Sequence, residues 1–518
     1  MSQLPEGWNK IKLDCLLDFV IGGDWGKEPD FHHTDFENVL CIRGTEFRHW
    51  SKEKGKTAVS RKVKSSSLAK RRLELGDIII EISGGGPEQP VGRTVIIDEK
   101  AISIANGVPL ICTNFTRLAR PSKEIDSAFL NYFLTFFYNS GEITKYQSGS
   151  NNLRNLQFQD YIQIGVPLAP LAEQTRIVEK LDEVLAQVDT IKACLDGIPA
   201  FLKRFRQSVL TAAVSGILTE EWRDDFSLSE SVQERYIKFR DKVISNASSA
   251  TQKEKLIKAH QKDEKSEFPL TIPNAWELKN LNKIAFGFSY GSSSKSQAVG
   301  SVPVLRMGNI QNGKLDWNDL VYTSDSTEIE KYRLSKGDVL FNRTNSPELV
   351  GKTAIYRGEK EAIYAGYLIK VQGSELLYSE FLNIALNSLH AKNYCLSVKT
   401  DGVSQSNINA QKLGDFPCPL PSIEEQKEIV RLVDQYFTFA DSIEAQVKNA
   451  KTRVDNLTKA ILAKAFRGEL TADWRVANPD LISGDNSAAA LLARIQAERA
   501  TASGKKGKRG PSKSRATA

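Results

Sequence analysis

Two glycine–basic–threonine tripeptides are the residues closest to a known chemical motif. Gly351-Lys352-Thr353 has the ending of a Walker loop, in which backbone N–H groups and a lysine hold nucleotide phosphates. That loop also needs a glycine five residues before Gly351, but Ser346 stands there. The tripeptide Gly92-Arg93-Thr94 has arginine in place of the lysine. We therefore expect no nucleotide site at either place.

Motifs of methyl transfer, nuclease and metal chemistry are incomplete. Amino-methyltransferases hold a flipped base with an Asn- or Asp-Pro-Pro-aromatic motif, which the run 478–481 (NPDL) lacks. Glu277-x-Lys279 has no Pro-Asp pair before it at the spacing of a metal-dependent nuclease. His32, His33 and His49 fit surface histidines better than ligands, and the six cysteines form no CxxC pair. We expect no catalytic residue, no metal and no cofactor on this chain.

A basic stretch near the amino terminus has the charge expected for contacts with DNA phosphates. Between Arg43 and Arg72 there are eleven Lys or Arg and only two acids, and the whole chain has a net charge of +7. Phosphate contacts fix register without reading sequence, and they make binding depend on salt. A solvated basic loop would have the same composition. The candidate phosphate contacts are Arg43, Arg48, Lys52, Lys56, Arg61 and Lys64.

Four polar loops have side chains of the kind that read base edges. Arg, Asn and Gln pair with guanine or adenine in the major groove, and they are concentrated in residues 147–155, 306–314, 341–346 and 400–409. Ordinary turns use the same residue types. The candidates in these loops are Asn152, Arg154, Asn155, Arg306, Asn309, Asn312, Lys314, Arg343, Asn345, Ser404, Gln405 and Asn407, and three further candidates, Arg93, Lys352 and Lys399, lie outside them.

The chain repeats itself at an offset of 252 residues. Pro167–Arg223 and Pro419–Arg475 align without a gap, with 17 of 57 positions identical, and both end in Gly-x-Leu-Thr-x-x-Trp-Arg. Shorter landmarks precede them, such as Leu-Pro-x-x-Trp ending at Trp8 and its counterpart ending at Trp276. Between the landmarks the two halves differ strongly. The repeat predicts a common framework that holds two binding surfaces with different targets.

Both repeated segments have a strict heptad pattern, which predicts long helices with a narrow apolar seam. The favoured partner of each seam is the other one in the same chain, as an antiparallel coiled coil. Dimerisation of two chains and a bundle core are the alternatives. About 33 residues make a rod of roughly 50 Å, longer than one DNA turn of about 34 Å. Pro199 should kink the first rod. The seam residues are Ile177, Leu181, Val184, Val188, Ile191, Leu195, Ile198, Leu202, Phe205 and Val209, then Ile429, Val433, Tyr436, Ala440, Ile443, Val447, Ala450, Val454, Leu457 and Ile461.

The predicted fold class is α+β, with two globular α/β domains separated by the two long helices and related by a pseudo-twofold repeat. With 518 residues, three or four domains are expected. The amino terminus has no apolar signal and no apolar run could span a bilayer, so we expect a soluble cytoplasmic chain. The predicted boundaries are a first globular domain 1–166, a first helical segment 167–223, a charged linker 224–270 with a short amphipathic helix, a second globular domain 271–418, a second helical segment 419–475, and a basic, partly disordered tail 476–518.

The helical segments resemble the two conserved regions of type I restriction–modification specificity subunits, of the enteric type IA-like branch. The likeness is carried by EQTRIVEKLDEVLAQVD, FLKRFRQSVLTAAVSGILTEEWR, EEQKEIVRLVDQYFTFAD and NLTKAILAKAFRGELTADWR, and by the later NPDLISGDNSAAALL. It implies that each globular domain is a target-recognition domain reading one part of a bipartite double-stranded DNA site.

The resemblance also implies partners. It predicts two methyltransferase subunits and two motor-nuclease subunits, which carry S-adenosylmethionine, ATP and Mg, while this chain directs their methylation and restriction in host defence. A non-catalytic coiled-coil scaffold without nucleic-acid specificity is the alternative function. Sequence-specific binding to duplex DNA would separate the two. A self-contained methyltransferase or nuclease is a third reading, opposed by the missing motifs.

Overall fold

A computed structural model describes residues 4–86, 89–149, 153–227, 229–261, 268–403 and 405–506. The chain divides into two compact units. The first unit is residues 1–195 together with 449–518, and the second unit is residues 196–448. Each unit therefore combines one globular domain with the start of one long helix and the end of the other.

Short, buried β-branched runs build the sheets of the first unit, as in Ile78–Glu81, where all four residues are buried. Its strands are Asn9–Lys12, Leu17–Gly22, Phe36–Ile42, Val59–Lys64, Ile78–Glu81, Ser83–Gly85, Thr94–Ile96, Leu110–Cys112, Thr116–Pro121, Gln147–Ser148, Arg154–Leu156 and Gly165–Leu168. Its globular helices are Trp50–Glu53, Ser65–Arg71, Glu99–Ile104, Ser127–Asn139 and Phe158–Tyr161, with 3-10 turns at Leu13–Leu16, Glu46–His49 and Glu142–Tyr146.

The second unit is built from an equivalent set. Its strands are Glu277–Asn280, Gly287–Tyr290, Val302–Leu305, Ile310–Gln311, Lys314–Leu315, Val321–Thr323, Val339–Asn342, Thr344–Asn345, Thr353–Ile355, Ile363–Tyr364, Leu368–Gln372, Thr400–Asp401, Ser406–Asn407 and Pro417–Leu420. Its globular helices are Leu281–Ile284, Ser326–Tyr332, Ser379–Asn387, Leu389–Val398 and Ala410–Gly414, with a 3-10 turn at Met307–Asn309.

Sheet topology repeats between the units, except that the second unit has an additional hairpin formed by Ile310–Gln311 and Lys314–Leu315. The four-stranded antiparallel sheet of the first unit has Ile78–Glu81 at an inner position, and the same place in the second unit is taken by Val339–Asn342. Each unit also has a three-stranded sheet containing one parallel pair, formed by Phe36–Ile42 with Leu110–Cys112 and by Val302–Leu305 with Ile363–Tyr364. This agreement confirms the predicted pseudo-repeat of two α/β domains.

The two heptad segments form the long helices Leu171–Ser215 and Ile423–Phe466, called here the first and second rod helix. The first rod helix continues through Pro199. Within the first unit, Lys192 pairs with Asp455 at 2.9 Å, and within the second unit, Arg206 pairs with Asp441 at 2.7 Å. In the first unit Arg475, after the second rod helix, also pairs with Glu173 near the start of the first. In the second unit Arg223, after the first rod helix, likewise pairs with Glu425 near the start of the second, so within each unit the helices pack antiparallel. No helix in the described ranges is long and apolar enough to cross a membrane.

The seam is less regular than the heptads predict. Nine of its residues are buried, namely Ile177, Leu181, Val188, Leu202, Val209, Ile429, Val433, Ala440 and Val447. Val184, Leu195, Ile198, Phe205, Ile443, Ala450, Val454 and Ile461 are half-buried. The prediction of burial is wrong for Ile191, Tyr436 and Leu457, which are 47%, 40% and 49% exposed. Ile191 and Leu457 lie next to the Lys192–Asp455 ion pair, where charged side chains join the helices in place of apolar ones.

Two segments expected to lie outside the folded domains pack into them. Val232–Ser245, within the predicted linker, buries Val232, Tyr236 and Phe239 in the second unit's core. Ala488–Lys506, within the predicted tail, buries Ala488, Leu491 and Ile495 in the first unit's core. Each of these two helices is preceded by a short helix, Glu220–Asp225 in the linker and Ala472–Ala477 in the tail. The helix Ala250–Gln261 follows Val232–Ser245, and 3-10 turns lie at Ile217–Thr219, Pro479–Leu481 and Gly484–Asn486. The basic end of the tail, 507–518, lies outside the described residues.

A buried glutamate ties three separate parts of the chain together in the first unit. Glu173 is 0% exposed, and its carboxylate accepts hydrogen bonds from the Trp8 indole at 2.8 Å and the Thr471 hydroxyl at 2.7 Å. The Arg475 guanidinium supplies its counter-charge at 2.8 Å. We call this the Glu173 cluster. It joins the globular domain, the start of the first rod helix and the Leu-Thr-x-x-Trp-Arg motif that follows the second.

The second unit repeats this arrangement as the Glu425 cluster. Glu425 accepts from Trp276 at 2.8 Å and from Thr219 at 2.7 Å, and pairs with Arg223 at 2.6 Å. A burial this deep is tolerated because each carboxylate has both a counter-charge and further donors. The repeated Trp, Glu, Thr and Arg residues therefore form one hydrogen-bonded cluster in each unit, and it joins the globular domain to both rod helices.

The glycine of the same motif is explained by a close approach. Gly468 has φ +73°, and a Cβ there would lie 2.2 Å from Cγ of Pro5. Gly216 has φ +78°, and its Cβ would lie 2.4 Å from Cγ of Pro273. Only glycine combines that left-handed backbone with such close packing. Each rod helix thus ends against the proline of a Leu-Pro-x-x-Trp or Ile-Pro-x-x-Trp landmark.

Candidate nucleic-acid interface

A cleft of about 650 Å³ opens on the globular domain of the first unit. It lies where the turn after strand Phe36–Ile42 meets the end of strand Ile78–Glu81. Its lining mixes cations, amides and exposed aromatic rings, a composition suited to nucleic acid. The lining residues are Trp25, Arg43, Gly44, Thr45, Arg48, His49, Glu81, Ser83, Gly84, Gln89, Arg93, Thr113, Asn114, Phe115 and Leu153.

Buried carboxylates fix two of the cleft's arginines. Arg93 pairs with Glu81 at 2.6 Å and donates to the Gly44 carbonyl at 2.9 Å, and its hydrogen bond to Glu81 raises the pKa of the guanidinium. Arg43 pairs with Glu46 at 2.6 Å. Burial opposes ionisation of Glu46, but the hydrogen bonds from Arg43 outweigh it and lower the pKa of this carboxyl. Both ion pairs hold the cleft's shape.

The predicted basic stretch divides into exposed and buried members. Arg48, Lys52, Lys56 and Lys64 are exposed, as phosphate contacts require. Arg61 is 6% exposed, so its prediction as a phosphate contact needs correction.

Arg61 is held by other residues of the same domain. Its guanidinium lies 4.2 Å from the centroid of the Trp25 ring and pairs with Glu28 at 2.6 Å. Its Nε donates to the Trp25 carbonyl at 3.0 Å. Arg61 therefore positions Trp25, an aromatic wall of the cleft, instead of reaching DNA.

A small sheet carries the predicted polar loop of the first unit. Strand Arg154–Leu156 pairs with Ser83–Gly85 on one side and Gln147–Ser148 on the other. Arg154 is half-buried and Asn155 is exposed. Asn152, also predicted to contact DNA, lies outside the described residues. Leu153 brings the loop to the cleft, since it lines that cleft and is 52% exposed.

The second unit has the same turn after its equivalent strand, with different chemistry. Arg306 takes the place of Arg43, and its backbone N–H donates to the Asn309 side chain at 2.9 Å, as that of Arg43 donates to Glu46. The prediction that Asn309 reads bases needs correction, because it is 3% exposed and its Nδ2 donates to the carbonyls of Asp316 and Asn318. Asn309 is a turn residue.

The end of the central strand also differs between the units. Asn342 stands where the first unit has Glu81, and Lys352 where it has Arg93. The Asn342 side chain is 0% exposed, and neither of its amide atoms has a hydrogen-bond partner in the described chain. Lys352 donates to Gln311 at 3.2 Å. The buried carboxylate of the first unit is thus replaced by a neutral amide in the second, and its arginine by a lysine that donates to a glutamine side chain.

The remaining candidates of the second unit are mostly near the surface. Asn312, Lys314 and Gln405 are exposed, while Arg343, Asn345, Lys352, Lys399 and Asn407 are half-buried. Arg343 lies 4.9 Å from the centroid of Tyr290, and Lys399 pairs with Asp401. Asn407 accepts from the Thr344 hydroxyl at 2.8 Å. Ser404 lies outside the described residues. These contacts leave the prediction of DNA binding untested.

Sequence reasoning missed two exposed aromatic residues. Phe115 is 54% exposed at the cleft, and Tyr367, at the same repeat offset of 252, is 50% exposed. Their carbonyls accept equivalent backbone bonds, from Ile82 at 2.9 Å and from Arg343 at 3.0 Å. The repeat offset of 252 residues was the signal that could have identified these two aromatic residues.

The described residues contain no group of three side chains that could hold a metal ion, and this includes His32, His33 and His49.

Comparison with known proteins gives a consistent result. The family model described as "Type I restriction modification DNA specificity domain" matches residues 62–200 and 273–451. The chain is 35% identical to the type I restriction enzyme EcoKI specificity subunit of Escherichia coli K12, over 98% of this chain and 99% of that protein. It is 32% identical to the StySPI specificity subunit of Salmonella potsdam, over 98% of each.

Two solved structures share the fold. One, described under the assembly and conformational transition of the type I R-M system, has a TM-score of 0.59 at 16% identity and covers 90% of this chain and 100% of its own. The HsdS subunit from Thermoanaerobacter tengcongensis has a TM-score of 0.50 at 17% identity, covering 90% and 98%. The resemblance drawn from the heptad segments is confirmed: the chain belongs to the DNA specificity subunits of type I restriction–modification enzymes.

Proposed function

We propose that each unit reads one part of a bipartite double-stranded DNA sequence and so directs methylation and restriction by partner subunits. The observation that carries this is a shared framework with unlike side chains at equivalent cleft positions. The Glu173 and Glu425 clusters are the same in both units, whereas Glu81 and Arg93 are replaced by Asn342 and Lys352. Two sites of one design with different polar groups suit two different short sequences.

The partners of this chain are proposed from its membership of the specificity-subunit family. We propose that methyltransferase and motor-nuclease subunits, two of each, assemble on this chain in the cytoplasm and carry S-adenosylmethionine, ATP and Mg. Calorimetric titration of S-adenosylmethionine should give no heat with this chain alone and a binding isotherm with the methyltransferase complex. Binding by the chain alone would contradict this division of labour.

Domain exchange tests the bipartite reading. Residues 1–166 are replaced by the equivalent domain of a relative that keeps the tryptophan of the Glu173 cluster, and methylated sites are mapped across a host genome. One part of the site should change and the other stay. The matched control replaces residues 271–418, which should change the other part. If either exchange alters both parts, the units do not read independently.

We further propose that the rod helices set the unread gap between the two parts. The test inserts one heptad between Val188 and Ile191 and a matching heptad beside Asp455, so that the antiparallel pairing with Lys192 is kept. Seven residues add about 10 Å of helix, or about three base pairs. Site mapping should show a correspondingly longer gap, and an unchanged gap would contradict the proposal.

A further inference from the structure

The first unit's cleft contains three arginines, and two of them already have their counter-charge. Glu46 binds Arg43 and Glu81 binds Arg93, each at 2.6 Å. Arg48 lines the same cleft, is exposed, and makes no hydrogen bond or ion pair with any residue in the described ranges. A site for phosphate would gain from leaving all three charges unpaired. The pairing instead leaves a single free guanidinium in a nearly neutralised cleft.

Apolar side chains line the same cleft as that guanidinium. Trp25, Phe115 and Leu153 line the cleft and are 37%, 54% and 52% exposed. A hydrogen bond gains strength where apolar walls exclude water. Contacts to the DNA backbone remain in water, whereas contacts to a base edge are enclosed by the groove. The surroundings of Arg48 therefore fit a base edge better than a phosphate.

The remaining polar groups narrow the choice of base. Adenine presents one acceptor and one donor in the major groove and is read by an amide. The amides of Gln89 and Asn114 line the cleft, and the Asn114 Oδ1 already accepts one hydrogen bond from the Thr113 hydroxyl at 3.0 Å, whereas the Arg48 guanidinium has no partner in the described ranges. Guanine presents two acceptors, O6 and N7, and needs only donors. A free guanidinium offers donors alone.

We propose that Arg48 reads a guanine, through O6 and N7, in the part of the DNA sequence bound by the first unit. This rests on the proposed function. The second unit differs at the corresponding place, five residues after the turn arginine, where Gln311 accepts from Lys352 at 3.2 Å and donates to the Gly308 carbonyl at 3.0 Å. The guanine contact therefore belongs to one part of the site only.

The experiment uses the chain with its methyltransferase partner and duplexes carrying the mapped site. Each guanine is replaced in turn by 7-deazaguanine, which lacks N7, and dissociation constants are measured at one salt concentration. With the native complex, one replacement in the first unit's part should weaken binding by about 10-fold or more. Arg48→Ala should be insensitive to that replacement, and should lose discrimination at that base pair alone. Gln311→Ala should keep the native response.

Three other outcomes would contradict the guanine contact or the proposed function. If Arg48→Ala weakens binding to every duplex equally and reduces its salt dependence, Arg48 contacts a phosphate and the inference is wrong while the proposed function stands. A first part without guanine would also overturn it. If the native complex shows no sequence preference at all, the proposed function fails. Unchanged thermal unfolding of Arg48→Ala verifies that this exposed substitution leaves the fold intact.

Discussion

The two glutamate clusters and the two strand ends at the clefts are equivalent positions treated in opposite ways. The Glu173 and Glu425 clusters keep the same four residue types and nearly the same distances. At the strand ends, the first unit has a charged Glu81–Arg93 pair, whereas the equivalent position of the second unit has the buried Asn342, whose amide has no partner in the described chain. The comparison teaches that the chain preserves the residues that join its parts and changes those that face the cleft.

The largest effect should come from breaking the clusters. Glu173→Ala and Glu425→Ala each leave an arginine and an indole without their acceptor, so each should lower the free energy of unfolding of its own unit by about 3–5 kcal/mol. Hydrogen exchange, read separately in each unit, measures this. The control is Glu469→Ala, which removes an exposed partner of Arg467 and should leave the free energy of unfolding nearly unchanged. If the two variants lose clearly different amounts of stability, the two clusters do not stabilise their units equally, although their geometry is the same.

A second pair of variants sharpens the contrast at the strand ends. Glu81→Gln removes the charge that binds Arg93 and should destabilise the first unit by about 1.5–3 kcal/mol. Asn342→Leu removes a buried amide without a partner, so it should leave the second unit equally stable or more stable. Thermal unfolding distinguishes the two. Clear destabilisation by Asn342→Leu would mean that this amide has a partner in solution.

The fold was predictable where the sequence has a period or a repeat. Heptads gave the rod helices, and the landmarks gave two equivalent domains. A short amphipathic helix was predicted in the linker, but the packing of Val232–Ser245 and Ala488–Lys506 into the cores was missed, because it depends on a few apolar positions in otherwise polar segments. Arg61 was misjudged because its partner Trp25 is 36 residues away in sequence. Composition indicates how many cations a stretch has, but tertiary contacts decide which of them remain free.

The exposed aromatic residues test whether both units bind DNA with equivalent surfaces. Burying the remaining half of either ring against DNA is worth about 1 kcal/mol. Phe115→Ala and Tyr367→Ala should therefore each weaken binding about five-fold. Tyr367→Phe is the control, since it keeps the ring. Fluorescence anisotropy with the specific duplex measures the change. If only one alanine variant matters, the two faces are not used alike.

The smallest expected effect is a difference in acid sensitivity. The first unit has exposed His32, His33 and His49, while the second has His260 and His390. Burial lowers the pKa of both His260 and His390. A lowered pKa in the fold means that the unfolded chain takes up protons first, so their contribution to stability is lost as pH falls below about 6.5.

Hydrogen exchange at pH 7.5 and 5.5 should therefore show a modest loss of protection in the second unit. His390→Phe should reduce the effect, because this ring already packs against Phe268 and Phe416. A larger acid-induced loss in the first unit would reverse the comparison.

The composition of the first unit has a consequence for synthesis on the ribosome. Phe466 packs against Phe129, Phe133 and Phe136, and Leu491 and Ile495 belong to the same core. The second unit is complete once residue 448 has been made, but the first must wait for the carboxyl-terminal residues. The domain that is translated first is thus the last to complete its core. A chain that terminates prematurely therefore leaves its amino-terminal domain without part of that core.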